Sequence, residues 1–164
     1  MGTRTRKSIA LIVSICLLGN LFAPSNGRAQ LVWPFAPPTT PQAQRNALNV
    51  LHSRVNWFRN ATRNAPNFAT GNYPMVWQEF QQLRDAYSAF KATLTPDKLA
   101  AGANELAELD AGLDILQQAF DEYQQDVAAG RATHAAFESM CQALNEGAAL
   151  WLQELDRVAK QLRI

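Results

Sequence analysis

Between Leu99 and Val127 the chain places Leu99, Gly102, Leu106, Leu109, Leu113, Leu116, Phe120, Tyr123 and Val127 at spacings that alternate between three and four. That period keeps one stripe of a helix turned toward a neighbour and predicts a long helix with a coiled-coil-like seam. His134, Phe137, Cys141, Leu144, Ala148, Trp151, Leu155, Val158 and Leu162 repeat the spacing across a short turn that contains Gly130. Two matching seams so joined predict an antiparallel helical hairpin. The pairing also accounts for most of the hydrophobic residues in this half of the chain, leaving few that call for a chemical explanation.

Upstream, Thr40 followed by Pro41 reads as a capped helix start, and Leu48, Leu51, Val55 and Phe58 carry that helix to about Asn64. The Pro, Gly and Asn content of 64–73 predicts a loop. A second helix begins near Pro74 with Val76, Phe80, Leu83, Tyr87, Phe90 and Leu94 on one face, and Thr95 with Pro96 starts a third that runs unbroken to a left-handed cap at Gly130. A fourth begins after Thr133. No segment alternates with a strand's period. The fold class expected is therefore all-α: an up-down-up-down four-helix bundle over 41–164 with a long C-terminal hairpin. At 1.5 Å per residue the third helix would be about 50 Å long and the second about 33 Å, so the hairpin should overhang. Phe68 and Tyr73 would then meet Phe120, Tyr123, His134, Phe137 and Cys141 in an aromatic-rich end, the first place to look for a pocket.

The N-terminus carries Arg4, Arg6 and Lys7, an apolar run from Ile9 to Phe22, and the small-x-small site Gly27-Arg28-Ala29. This predicts a signal peptide over 1–29 cleaved before Gln30; the run is shorter than the roughly 20 residues of a membrane span. Residues 30–40, with Trp33, Pro34, Phe35, Pro37 and Pro38, form a Pro-rich extended tail. Cleavage would leave eleven Lys and Arg against fourteen Asp and Glu, a net charge of −3. A mildly acidic chain is a poor generic nucleic-acid binder, because that binding rests on neutralising phosphates. Only Cys141 would survive, so no internal disulfide is available in an oxidising compartment. The expected location is the bacterial envelope, periplasmic or secreted, with no transmembrane span after cleavage.

Charge is sorted by segment. The first helix has Arg45, Arg54, Arg59 and Arg63 and no acid, and Arg45, Asn49, His52, Asn56, Arg59 and Arg63 form one polar stripe. The third has Asp97, Glu105, Glu108, Asp110, Asp114, Asp121, Glu122 and Asp126 against Lys98. These faces suit partners of opposite charge, although solvated faces of a bundle look the same. Trp57, Trp77 and Trp151 lie within helices and read as core or half-core residues; the alternative for Trp57, since Val50, Trp57 and Ala61 lie off the first helix's main stripe, is an exposed patch used in association. A homo-oligomer is a further candidate assembly.

Catalytic signals are thin. Ser139 diverges from His134 on the helix, and no phosphate-cradling Gly loop or zinc-protease motif occurs. His134, Glu138 and Cys141 share i, i+4, i+7 spacing, but a metal site closes with residues of a second element; no metal or cofactor is expected. The expected function is non-catalytic protein binding in the cell envelope, as an adaptor, chaperone or minor component of a surface assembly, with no nucleic-acid partner. The candidate binding residues are Phe68, Tyr73, Tyr123, His134 and Phe137 at the aromatic end and Arg45, His52, Arg59 and Arg63 on the polar stripe. The alternative is a small-molecule or metal carrier using the aromatic end near His134 and Cys141. Intact-mass measurement of the protein taken from its own cell envelope is expected to give a chain beginning at Gln30; a mass that retains residues 1–29 would sink the export reading.

Overall fold

The computed structural model describes residues 39–67 and 72–164. The leader, most of the Pro-rich tail and Phe68 lie outside the described residues. Those described form α1 (Pro41–Asn64), a 3-10 turn (Ala65–Asn67), α2 (Tyr73–Ala92), α3 (Pro96–Ala101), α4 (Ala103–Ala128) and α5 (His134–Gln161), with no strand among them. Within this set no helix is long and apolar enough to cross a membrane.

Threonine starts three of the helices. The Thr40, Thr95 and Thr133 side chains accept from the amides of Ala43 (3.2 Å), Lys98 (3.4 Å) and Ala136 (3.1 Å), each taking up a donor that a helix N-terminus leaves unpaired. Gly130 stops α4 at φ +65°. Its amide donates to the Val127 carbonyl and that of Arg131 to Asp126, the paired bonds of a Schellman cap.

The third helix is not continuous. Gly102, at φ −106° and ψ 16°, ends α3 and begins α4. A Cβ there would stand 3.0 Å from Leu162 Cδ2, so the break coincides with the docking of Leu162 against the α3–α4 junction. Leu99 and Val127, expected on the seam, are exposed, whereas Leu106, Leu109, Leu113, Leu116, Phe120 and Tyr123 are buried. Shortening the helix to Ala103–Ala128 also removes much of the expected overhang.

α1 packs against α2 and α5, and α4 packs against α5. Between α2 and α4 the space is taken by rings: Phe120 lies 5.1 Å from Phe80 and 5.0 Å from Trp77, centre to centre. Phe58 of α1 completes the cluster, 5.6 Å from Phe80. Side chains fix the register by reaching across to neighbouring backbones, Tyr87 Oη to the Leu106 carbonyl (3.1 Å) and Trp151 Nε1 to the Leu109 carbonyl (2.8 Å). Buried Gln44 donates to the Thr39 and Thr93 carbonyls (3.2 and 3.1 Å) and accepts from Lys98 Nζ (2.7 Å), tying α1 to the α2–α3 corner.

The α4–α5 crossing is reciprocal. A Cβ on Gly112 would stand 2.7 Å from Trp151 Cδ1, and one on Gly147 would stand 2.8 Å from Leu116 Cδ2. The indole is pinned by its hydrogen bond, whereas the Leu116 methyl can rotate away. Gly112→Ala is expected to lower stability by about 1 kcal/mol, because overpacking at about 1–3 kcal/mol outweighs the roughly 1 kcal/mol gain in helix propensity. Gly147→Ala should be neutral or stabilising. Equal urea midpoints for the two variants would refute this account of the crossing.

Candidate functional site

Four residues of the expected aromatic end, Tyr73, Phe120, Tyr123 and Phe137, come together. Tyr73, at the start of α2, stacks on Tyr123 of α4 at 5.6 Å, and Tyr123 meets Phe137 of α5 at 5.5 Å. Tyr73 also meets the Phe120 edge at 5.9 Å, and its hydroxyl accepts from Gln124 Nε2 at 2.7 Å. Burial pushes the Tyr73 phenol above its ordinary range, as desolvation of the charged form requires. These rings pack on one another between the helices.

His134 does not join them. It is the first residue of α5 and stands exposed, while Cys141, two turns on, is buried in the core. The imidazole and the thiol therefore occupy unlike surroundings, although the heptad spacing put both on the seam. Burial pushes the Cys141 thiol up to about 11, which makes it a core side chain rather than a nucleophile at neutral pH. Among the described residues no three His, Cys, Asp or Glu side chains gather as a metal-ligand set.

The polar stripe on α1 divides. Arg45 and Arg63 are exposed. His52 turns toward α5, where its Nε2 lies 3.0 Å from Asp156 Oδ1. Arg59 is half-buried, and its carbonyl accepts from Asn145 Nδ2 at 2.8 Å. Asn145 Nδ2 also reaches Thr62 Oγ1 at 3.1 Å, so this flank holds α1 to α5 while the ends of the stripe remain free.

The opposite flank of α1 is apolar and open. Trp57 is 63% exposed and Val50 is 53% exposed, two turns apart with Arg54 between them. Asn49, Val50, Ser53, Arg54 and Trp57 line a shallow recess there, and Arg54 donates to Gln82 Oε1 on α2. The three described tryptophans thus take three environments, Trp151 buried, Trp77 half-buried and Trp57 in solvent, so the core or half-core reading holds for the first two and fails for Trp57, which stands off the packed stripe of α1. A large ring left in water on an ordered helix is a recognised mark of an interaction surface. The residues suit packing against another apolar surface edged by hydrogen-bonding groups. Leu150, Ile115 and Met75 are further exposed apolar side chains; their only sequence signal was an apolar residue standing off its helix's seam.

Maleimide is expected to leave Cys141 unmodified in the folded protein at neutral pH and to modify it fully in urea. Because folding raises this thiol above its unfolded value of about 8.5, its contribution to stability is complete below that pH and is lost as pH rises toward 11. Cys141→Ala should therefore flatten that part of the alkaline decline; rapid labelling of the folded protein would refute the core assignment. No family model, curated protein or solved structure matches the chain.

Proposed function

We propose that the four long helices close as an up-down-up-down bundle, that the chain is exported to the bacterial cell envelope behind a cleaved leader, and that it acts there by binding another protein rather than by catalysis. The observation that carries the binding reading is Trp57, 63% exposed on a helix whose other face is fully packed. Removing such a ring from water stabilises a complex by an amount that few other side chains match. Val50 extends the apolar contact and Arg54 edges it, while Arg45 and Arg63 on the other flank favour a partner that brings acidic groups. The carrier alternative would use the aromatic end, where the described rings Tyr73, Phe120, Tyr123 and Phe137 pack on one another.

A photoreactive phenylalanine analogue at position 57, expressed in cells of the source organism, is expected to give one discrete adduct. The same probe at exposed Ala132 in the α4–α5 turn should give none, and Val50→Glu should abolish the position 57 adduct. Equal labelling at both positions, or none at either, would overturn the reading.

A further inference from the structure

The fold separates its charges by helix pair. α1 and α2 carry six Arg and Lys against two acids, whereas α4 and α5 carry two against eleven. Among the described residues no carboxylate lies within ion-pair distance of Arg45, Arg54, Arg59 or Arg63, and no cation lies within that distance of Asp114, Glu122 or Glu146. Arg54 is met by the neutral amide of Gln82, and Glu122 and Glu146 by those of Gln118 and Gln142, so these groups have hydrogen-bond partners but no counter-charge among the described residues.

The acidic pair also has an exposed apolar centre. Ile115 is 39% exposed and Leu150 is 67% exposed. Each stands three residues beyond a crossing glycine, Gly112 or Gly147, while the residue after it, Leu116 or Trp151, seats on the opposite glycine. Ile115 and Leu150 therefore flank the crossing on its outer side. Glu122 lies two turns after Ile115 on the same face of α4, and Glu108, two turns before it, is bridged to α5 by Arg157. The outer face of α1 is the counterpart, with an apolar centre at Val50 and Trp57 edged by Arg54, and with Arg45 and Arg63 on its other flank.

We infer that the outer face of α1 docks on the outer face of the α4–α5 pair of a second copy, with Val50 and Trp57 against Ile115 and Leu150. This deepens the protein-binding reading and rests on it. Charge complementarity selects the occupant, since one chain carries both halves of a matched apolar-and-ionic contact. α1 and α4 each pack on α5, and Phe58 of α1 reaches Phe120 of α4 in the central ring cluster, so α1 lies across the core from α4 and the two faces point to different sides. The contact is consequently head-to-tail: every junction leaves one unused face at each end, so further copies add in a row or close as a ring of more than two.

Sedimentation of the purified protein at about 0.05 M salt is expected to show a mass that rises with concentration past two chains and falls toward one at about 0.5 M, where screening is within a few ångströms. Trp57→Asp and Ile115→Lys should each weaken association by at least about tenfold. Mixed together they retain one intact face apiece, so they should pair and stop at two chains. Val50→Asp with Leu150→Lys is the second test pair, should circular dichroism show that either first variant has lost its helices. A wild-type protein that stays single at low salt, or a closed dimer that mixing does not restore, overturns the inference. If the purified protein stays single while the position 57 probe still gives an adduct of foreign mass, self-association fails and partner binding stands; loss of both removes both.

Discussion

The seating of Trp151 on Gly112 and of Leu116 on Gly147 draws α4 and α5 together, and the rest of the packing accommodates that closeness. Where facing helices offer glycine, backbones close; between α2 and α4 the side chains are Trp77, Phe80, Tyr87 and Phe120, and the rings hold the helices apart. The aromatic end belongs to this second regime. Tyr73, Tyr123 and Phe137 continue the ring packing toward the end of the helices.

Directional bonds then select one register from the many that apolar stripes alone would tolerate. Tyr87, Trp151, Asn145 and Gln44 each place a polar atom on a carbonyl of another segment. Leaving such an atom unpaired in the interior costs about 1–3 kcal/mol, so a slip of one turn is opposed at four separate places. Among the described residues the largest exposed apolar side chain is Trp57.

Much of the helical structure was legible because its signals are local. Thr40, Thr95 and Thr133 as caps, Gly130 as a left-handed stop, and the three-four spacing of the seams each depend on neighbours within a turn or two. The break at Gly102 was not legible, since glycine fits a seam position as well as a cap and what distinguishes them is Leu162, sixty residues away. His134 fell on the seam by counting but stands beyond the last packed turn. Gln44 read as an ordinary polar residue because its partners, Thr93 and Lys98, come from another part of the chain. On the candidate site, the off-stripe position of Trp57 was visible in the spacing, while the exposed pairing of Ile115 and Leu150 appeared only once the glycines had set the crossing.

The charge division between the helix pairs gives the molecule an electrical axis. α1 runs opposite to α2, as the contacts of Gln44 with Thr93 and of Arg54 with Gln82 show, and α5 runs opposite to α4, with Arg157 meeting Glu108 and Gln161 meeting Glu105. Antiparallel neighbours cancel most of their macrodipoles along their length. What survives is a moment perpendicular to the helices, from the acidic pair toward the basic one. Near any charged surface such a body experiences a torque before it experiences much net pull, and it arrives with α1 or α4 already turned toward what it will touch.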